Sequence, residues 1–210
     1  MKYEITKKKK RVSRYSLTLY RIKALKNFGK VKAGDLGGWI EGELNLSQEG
    51  NAWVTGEAQV YGNARVSGNA NVSEDAMVFG NARVFGNALV YENVLVYVNA
   101  EVSGNAMVSG KALVSGHAKV YGDALVFGNA EVSINAKVYG NVRVSGDAEV
   151  SGNAKVSGKA WVFEDAEISG NAQVSGKAMV YGNANVYGYA QVYGKAWVTG
   201  HAKVYGDVFY

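Results

Sequence analysis

The sequence predicts an all-β fold, a single-stranded parallel β-helix in which three short strands make one triangular coil. The 210-residue chain contains 27 glycines but no proline and no cysteine. From Asn51 onward a hexapeptide repeats, with Val or Ile at every sixth position from Val54 to Val204. The outward side-chain types recur every 18 residues. Together these observations predict about nine coils of 18 residues.

Each hexapeptide supplies one short strand and one turn. Ala stands two residues before the sixth position in all but three repeats, which have Val94, Val142 and Val208 there. Alternation along a strand directs both positions inward, so the residue between them points outward. Gly followed by Asn, Asp, Lys or His forms the turn, because glycine adopts positive φ without steric cost. Proline would remove a ladder hydrogen bond in each coil, which explains its absence.

The outward positions form three columns, which define three faces of the predicted prism. The first face is rich in large apolar residues: Trp53, Asn71, Leu89, Met107, Leu125, Arg143, Trp161, Met179 and Trp197. The second face becomes acidic: Gln59, Met77, Leu95, Leu113, Glu131, Glu149, Glu167, Asn185 and Lys203. The third face is mainly basic: Arg65, Arg83, Glu101, Lys119, Lys137, Lys155, Gln173, Gln191 and Phe209. This sorting at a period of 18 predicts three strands per coil.

The N-terminal region differs in charge from the rest of the chain. Residues 1–32 contain twelve Lys or Arg and one acidic residue, Glu4, whereas the remainder is net acidic. Residues 3–6 and 15–25, separated by the lysine run, predict a β-hairpin that caps the first coil. The sequence thus divides into a basic hairpin cap at 1–50 and a repeat domain at 51–210.

The basic side chains are candidates for binding an anionic partner. They comprise Lys7, Lys8, Lys9, Lys10, Arg11 and Arg14 near the N-terminus and Lys119, Lys137 and Lys155 on the third face. Nucleic acid is not the favoured partner, because Glu101 interrupts the basic column and the repeat domain is net acidic.

Two sequence patterns resemble known families. The pattern V-x-G-N-A-x resembles that of the hexapeptide-repeat β-helix proteins, and this resemblance implies a left-handed coil. Residues 28–40 (FGKVKAGDLGGWI) and 45–54 (NLSQEGNAWV) look like the opening of YdcK-like proteins, which occur in bacteria and phages. The family is grouped with transferases by fold, so the resemblance implies no particular reaction.

The sequence favours a protein without catalytic activity. The hexapeptide acyltransferases that the chain resembles use an inserted loop and a catalytic histidine at a subunit boundary, but here the repeat runs without insertion. His117 and His201 occupy turn positions on different corners, and neither has an evident orienting partner. They remain the candidates for an alternative function, an acyltransferase-like site between subunits. No cofactor or metal is predicted, and Glu131, Glu149 and Glu167 are interpreted as a solvated acidic face.

The first face predicts a protein interface, since aromatic residues and Met are enriched at interface centres. The expected interface residues are Trp53, Leu89, Tyr91, Met107, Leu125, Phe127, Trp161, Phe163, Met179, Tyr181 and Trp197, with Phe209 and Tyr210 in the last coil, which we expect to lack a cap. A homo-oligomer (trimer or dimer) or another protein would cover them. The alternative is cover within the chain, by residues 16–28 extended along the rod.

The preferred interpretation is a non-catalytic scaffold that works by protein association, such as a phage or prophage accessory or inhibitor protein. The acyltransferase-like enzyme and a polyanion-binding module that uses the basic N-terminal region are the alternatives. No apolar stretch of ~18 residues is present to span a membrane, and no signal-peptide pattern occurs. We therefore expect a cytoplasmic location in a bacterial or phage-infected cell.

Overall fold

The computed structural model describes residues 1–12, 16–206 and 208–210 and has the form of a parallel β-solenoid. Strands 18 residues apart lie side by side, as where Leu89 pairs with Asn71 on one side and Met107 on the other. The predicted fold, about nine coils of 18 residues with an antiparallel N-terminal hairpin, is confirmed. The described residues contain one short 3-10 turn, Glu43–Asn45, and no helix that is long and apolar enough to span a membrane.

Three parallel sheets run along the solenoid, one for each predicted face. The first-face strands are Trp53–Val54, Asn71–Val72, Leu89–Val90, Met107–Val108, Leu125–Val126, Arg143–Val144, Trp161–Val162, Met179–Val180 and Trp197–Val198. The second-face strands are Gln59–Val60, Met77–Val78, Leu95–Val96, Leu113–Val114, Glu131–Val132, Glu149–Val150, Glu167–Ile168, Asn185–Tyr187 and Lys203–Tyr205. The third-face strands are Arg65–Val66, Arg83–Val84, Glu101–Val102, Lys119–Gly122, Lys137–Gly140, Lys155–Val156, Gln173–Val174, Gln191–Val192 and Val208–Phe209.

The core consists of ladders of small aliphatic side chains. From Val54 to Val192 every Val or Ile at the sixth position is at most 1% exposed, and most of the alanines two residues earlier are fully buried. Val94 and Val142, which replace alanine, are also fully buried. This confirms the predicted inward register, because alternation along each strand places both positions in the interior.

Polar side chains in the turns form ladders of their own. Asn51, Asn69 and Asn87 each donate a side-chain amide hydrogen to the residue 18 positions later, at 2.9–3.0 Å. The ladder continues from Asn105 to the carboxylate of Asp123 at 2.9 Å. Asn in the turn therefore serves two purposes: it suits the turn conformation and links neighbouring coils through its side chain.

The N-terminal hairpin differs from the prediction in its boundaries. Strand β1 (Tyr3–Val12) pairs antiparallel with β2 (Leu17–Ala24), so the lysine run 7–10 lies within β1 and does not separate the two strands. Lys7, Lys8 and Lys9 are exposed in succession, and the pairing register with β2 shifts between Ile5 and Lys9, so the strand continues through the run with an irregularity. The predicted position of the turn was wrong for this reason.

The hairpin continues directly into the solenoid. β2 also pairs antiparallel with β3 (Leu36–Ile40), and β3 pairs parallel with Gln59–Val60. The parallel ladder therefore begins before the hexapeptide repeat does. Gly37, which has no Cβ, is required where β3 approaches the first face, because a Cβ there would lie 2.6 Å from the Trp53 ring.

Lys2 and Tyr3 attach the start of the chain to the first coil. The Lys2 ammonium, although only 1% of the residue is exposed, donates to the carbonyl oxygen of Ala52 at 2.8 Å and lies 5.1 Å from the Phe28 ring centre. Burial lowers the pKa of Lys2 to about 8. The Tyr3 hydroxyl donates to the carbonyl oxygen of Leu46 at 2.7 Å, and burial raises its pKa to about 12.

The last strand departs from the 18-residue register. The period predicts Phe209 opposite Gln191, but Val208 pairs with Gln191 and Phe209 pairs with Val192. Phe209 is 39% exposed and Tyr210 is 85% exposed. Both predicted interface residues therefore lie at the surface, one position out of the expected column.

Candidate protein-interaction surface

The first face exposes large apolar side chains along most of the solenoid. Leu89, Phe127, Trp161 and Trp197 are 38%, 41%, 41% and 68% exposed. Other predicted interface residues on this face are half-buried by their neighbours: Tyr91, Met107, Leu125, Phe163, Met179 and Tyr181. The two-residue strands hold these side chains on one sheet. The resulting apolar strip is larger and more continuous than the singly scattered apolar residues on the surface of an ordinary monomer.

Trp53 does not belong to this exposed strip, and its assignment to the interface was wrong. Only 3% of Trp53 is exposed, because the rings of Tyr3 and Phe28 meet its ring edge-on at 6.2 and 5.3 Å. These two aromatic residues belong to the cap, so the first coil is covered within the chain. Trp53 therefore stabilises the junction between cap and solenoid.

The hairpin does not extend along the rod, so the expectation that residues 16–28 cover the strip is wrong. β2 lies beside β3, and its Leu19 packs with Trp39 and Tyr61 at the start of the second face. Phe79, one coil further on, is the partly buried edge of this cluster. Antiparallel pairing with β3 directs the hairpin across the end of the solenoid, which leaves the first face open from Leu89 onward.

Aromatic rings stack along the solenoid axis at the positions that follow each Val. Phe163 and Tyr181 are parallel on the first face, with ring centres 4.8 Å apart and planes within 3°. Tyr121 and Tyr139 do the same on the third face at 5.0 Å. Adjacent coils thus impose the spacing of a stacked aromatic pair.

A gap interrupts the stack on the first face at Ser145. This serine lies one coil from Phe127 on one side and one coil from Phe163 on the other. The three residues, together with Arg143 and Trp161, line a cavity of about 180 Å³. The Arg143 guanidinium lies over the Trp161 ring at 4.9 Å. The signal for this feature in the sequence is an alternation of Ser with aromatic residues at the positions that follow each Val of the first face, a column separate from the outward positions between Ala and Val.

The basic column of the third face is partly neutralised. Glu101 forms an ion pair with Lys119 at 3.0 Å and lies 3.6 Å from the Arg83 guanidinium. Lys137 and Lys155, further along the column, are exposed. The predicted interruption by Glu101 thus takes the form of a bridge between two of the cations.

The N-terminal cations do not form one uniform patch. Lys7, Lys8, Lys9 and Arg11 are exposed on β1. Lys10 instead pairs with Glu57 at 3.0 Å. Arg14, the remaining predicted polyanion-binding residue, lies outside the described residues.

Glu57 joins the hairpin to the solenoid, a role that the sequence analysis missed. Its carboxylate accepts hydrogen bonds from Lys10, Arg21 at 2.8 Å and the indole nitrogen of Trp39 at 3.0 Å. The hydrogen bond from Lys10 makes the largest contribution to lowering the pKa of Glu57 to about 2, with Arg21 and Trp39 adding to it. The three donors come from β1, β2 and β3, so one acidic side chain links all three strands to the first coil.

The glutamates of the second face lie in register. Glu131, Glu149 and Glu167 occupy neighbouring strands, and the pKa of Glu149 is raised, first by burial and then by the two flanking carboxylates. Glu167 also accepts from the Asn185 amide at 2.7 Å. Across the described ranges, no three His, Asp or Glu side chains are grouped in a way that could hold a metal ion.

The two histidines lie on different corners, as the spacing predicts. His117 follows the second-face strand Leu113–Val114, and His201 follows the first-face strand Trp197–Val198. The His117 Nε2 lies 3.4 Å from the Asn99 amide nitrogen, which places it in the ladder of turn side chains. In this position the histidine extends a structural row, and neither histidine is among the residues that line the cavity at Ser145.

Comparison with known proteins identifies the repeat. The family model described as the YdcK beta solenoid repeat matches residues 58–74, 100–116, 136–152 and 172–188. These stretches lie in the three-sided solenoid and cover strands of all three faces. No curated protein matches the chain.

Proposed function

We propose that this β-solenoid protein, whose repeat matches the YdcK model, is a non-catalytic scaffold that binds another protein chain through its first face. The single observation that supports this function is the exposure of Leu89, Phe127, Trp161 and Trp197 on one flat sheet. Burying aromatic surface of this kind is a major source of interface free energy. A rigid sheet also loses little conformational entropy on binding.

The partner is a second copy of the chain, in a dimer or trimer, or a host or phage protein. Solenoids bind proteins through extended surfaces, and the strip on the first face has this extended form. A role as a phage or prophage accessory or inhibitor protein in the cytoplasm of the infected cell is part of the proposal. It is supported by the resemblance of the N-terminal segments to YdcK-like proteins, and the matched repeat agrees with that resemblance.

The proposal is tested first by the association state of the purified protein. We expect sedimentation velocity to show a mass that increases with concentration, and the double variant Leu89→Glu/Trp161→Glu to abolish this increase. The matched control is Gln173→Glu/Gln191→Glu, which adds the same charges at equivalent outward positions of the third face. Circular dichroism of all three proteins verifies that the solenoid is intact.

A second measurement detects a partner other than the chain itself. A photo-crosslinking amino acid at Leu89 is expected to give a discrete adduct in the native host, whereas the same group at Gln173 gives none. Self-association or a Leu89-specific adduct supports the proposal. A protein that stays monomeric at all concentrations and gives identical adducts from both positions contradicts it.

A further inference from the structure

The gap at Ser145 has the dimensions of one aromatic ring. Neighbouring rings in the solenoid stack at 4.8–5.2 Å, in the pairs Phe163–Tyr181, Tyr121–Tyr139 and Phe79–Tyr97. Phe127 and Phe163 are two coils apart, so their separation along the axis is ~9.6 Å. A ring inserted over Ser145 would therefore lie at the ordinary stacking distance from both.

The volume of the gap agrees with this spacing. The cavity measures about 180 Å³. A cavity of roughly 150 Å³ in another protein is large enough to bind benzene. The space over Ser145 thus fits one ring and is too small for two.

Arg143 supplies a polar contact at the side of the gap. Its guanidinium stacks on Trp161 at 4.9 Å, and within the described part of the chain it forms no ion pair and no hydrogen bond. Guanidinium offers five donors and pairs well with a carboxylate. A stacked guanidinium without an acceptor is therefore available to a ligand that brings one.

The neighbouring turns limit how much negative charge the ligand can have. Asp147 follows Ser145 in the next turn, and Glu164 and Asp165 occupy the same turn one coil further on. All three are exposed carboxylates. They would repel the phosphate chain of a nucleic acid, whereas a single carboxylate can pair with Arg143 directly.

We propose that the Ser145 gap binds one aromatic side chain of the partner protein, with an adjacent acidic residue paired to Arg143. This inference rests on the proposed function and specifies the chemistry of the partner. The inserted ring completes the stack between Phe127 and Phe163, and the carboxylate pairs with the guanidinium beside it. The site is thus a specific pocket within the wider apolar strip.

The test uses the purified full-length protein and the peptide acetyl-Gly-Trp-Asp-Gly-amide. In two-dimensional ¹H–¹⁵N NMR spectra we expect saturable shifts at the Trp161 indole N–H and the Ser145 amide. Replacing the peptide Trp by Leu weakens binding by about tenfold, because the stacking contacts are lost. Replacing the peptide Asp by Asn weakens it by about threefold, and Arg143→Gln removes this preference for Asp.

Filling the gap provides the decisive variant. Ser145→Tyr places a ring between Phe127 and Phe163, which completes the stack and blocks the peptide, so binding falls by about tenfold or more. The matched control is Ser157→Tyr, which also changes a serine that directly follows a Val. Ser157 lies on the third face, one coil from Tyr139, so this variant should leave binding unchanged. A Ser145→Tyr protein that binds the peptide like the parent overturns the proposal.

Further outcomes separate this inference from the proposed function. If indole-3-propionate binds as tightly as the peptide, the gap is a small-molecule site and the proposal fails. If no shifts saturate, it fails as well, while loss of association in Leu89→Glu/Trp161→Glu still supports the wider interface. If the peptide binds but the protein neither self-associates nor gives Leu89-specific adducts, the pocket is confirmed and the scaffold function is contradicted.

Discussion

At the scale of single residues, backbone conformation at the corners decides which substitutions the solenoid accepts. Gly110 and Gly200 both have φ near +70°, at 74° and 67°. A Cβ at Gly110 would lie 2.5 Å from the Gly128 carbonyl oxygen, whereas nothing lies within 4 Å of a Cβ at Gly200. Most corners are therefore constrained twice, by the left-handed conformation and by the backbone of the next coil.

The two constraints can be separated by two alanine substitutions. Gly200→Ala incurs only the left-handed conformation and is expected to lower the free energy of unfolding by about 1 kcal/mol. Gly110→Ala also forces two coils apart and is expected to cost about 2–4 kcal/mol. Urea denaturation followed by circular dichroism measures both. Equal losses in the two variants would mean that coil contact at the corner is unimportant.

At the scale of elements, the periodic parts of the chain were predictable and the cap contacts were not. The register of Leu89 with Met107 follows from an 18-residue period that the sequence displays directly. The Lys2 ammonium instead donates a hydrogen bond to the carbonyl oxygen of Ala52, 50 residues away in sequence, and no sequence pattern predicts that pair. Burial of Trp53 under Tyr3 and Phe28 likewise depends on where an aperiodic segment folds back. The alternation of Ser with aromatic residues around Ser145 is visible in the sequence, but the cavity between the rings follows only from the spacing of the coils in the structure.

Glu57 stabilises the attachment of the hairpin to the solenoid, and this stabilisation should decrease at acidic pH. The pKa of Glu57 is about 2, below its ordinary value of 4.5, so its stabilisation is complete above about pH 4.5 and is lost as the pH falls toward 2. The Trp39 indole N–H signal, which reports the 3.0 Å hydrogen bond to Glu57, should shift over this range in NMR spectra. Glu57→Gln is expected to remove the acid transition and to cost less than about 1 kcal/mol at neutral pH, since the side chain is half-exposed.

Glu4→Gln is the matched control for this prediction. Glu4 is an exposed glutamate of the same hairpin, and within the described residues it takes part in no ion pair. The acid shift of the Trp39 signal should survive in this variant. If it disappears in Glu4→Gln, or persists in Glu57→Gln, the transition belongs to another group.

At the scale of the whole molecule, the solenoid is a one-dimensional stack. Each sheet joins a coil to the coil before it and the coil after it, so stability is expected to spread through nearest neighbours. Among the described residues, the cap contacts the first coils through Glu57, Trp53 and Tyr61. A defect in the middle of the rod should therefore remain local.

An overpacked alanine in the central coil tests this locality. Ala130 is fully buried, and the strand beside it, Glu131–Val132, pairs with Leu113–Val114 and Glu149–Val150. Ala130→Leu is expected to cost about 1–3 kcal/mol, because the narrow interior has no space for three more carbon atoms. Hydrogen exchange should accelerate in these three strands and remain unchanged in β1 and β2. The control Glu131→Leu adds an apolar side chain at the neighbouring outward position and should leave exchange at all these strands unchanged. Faster exchange throughout the chain, the hairpin included, would show that the molecule unfolds as one cooperative unit.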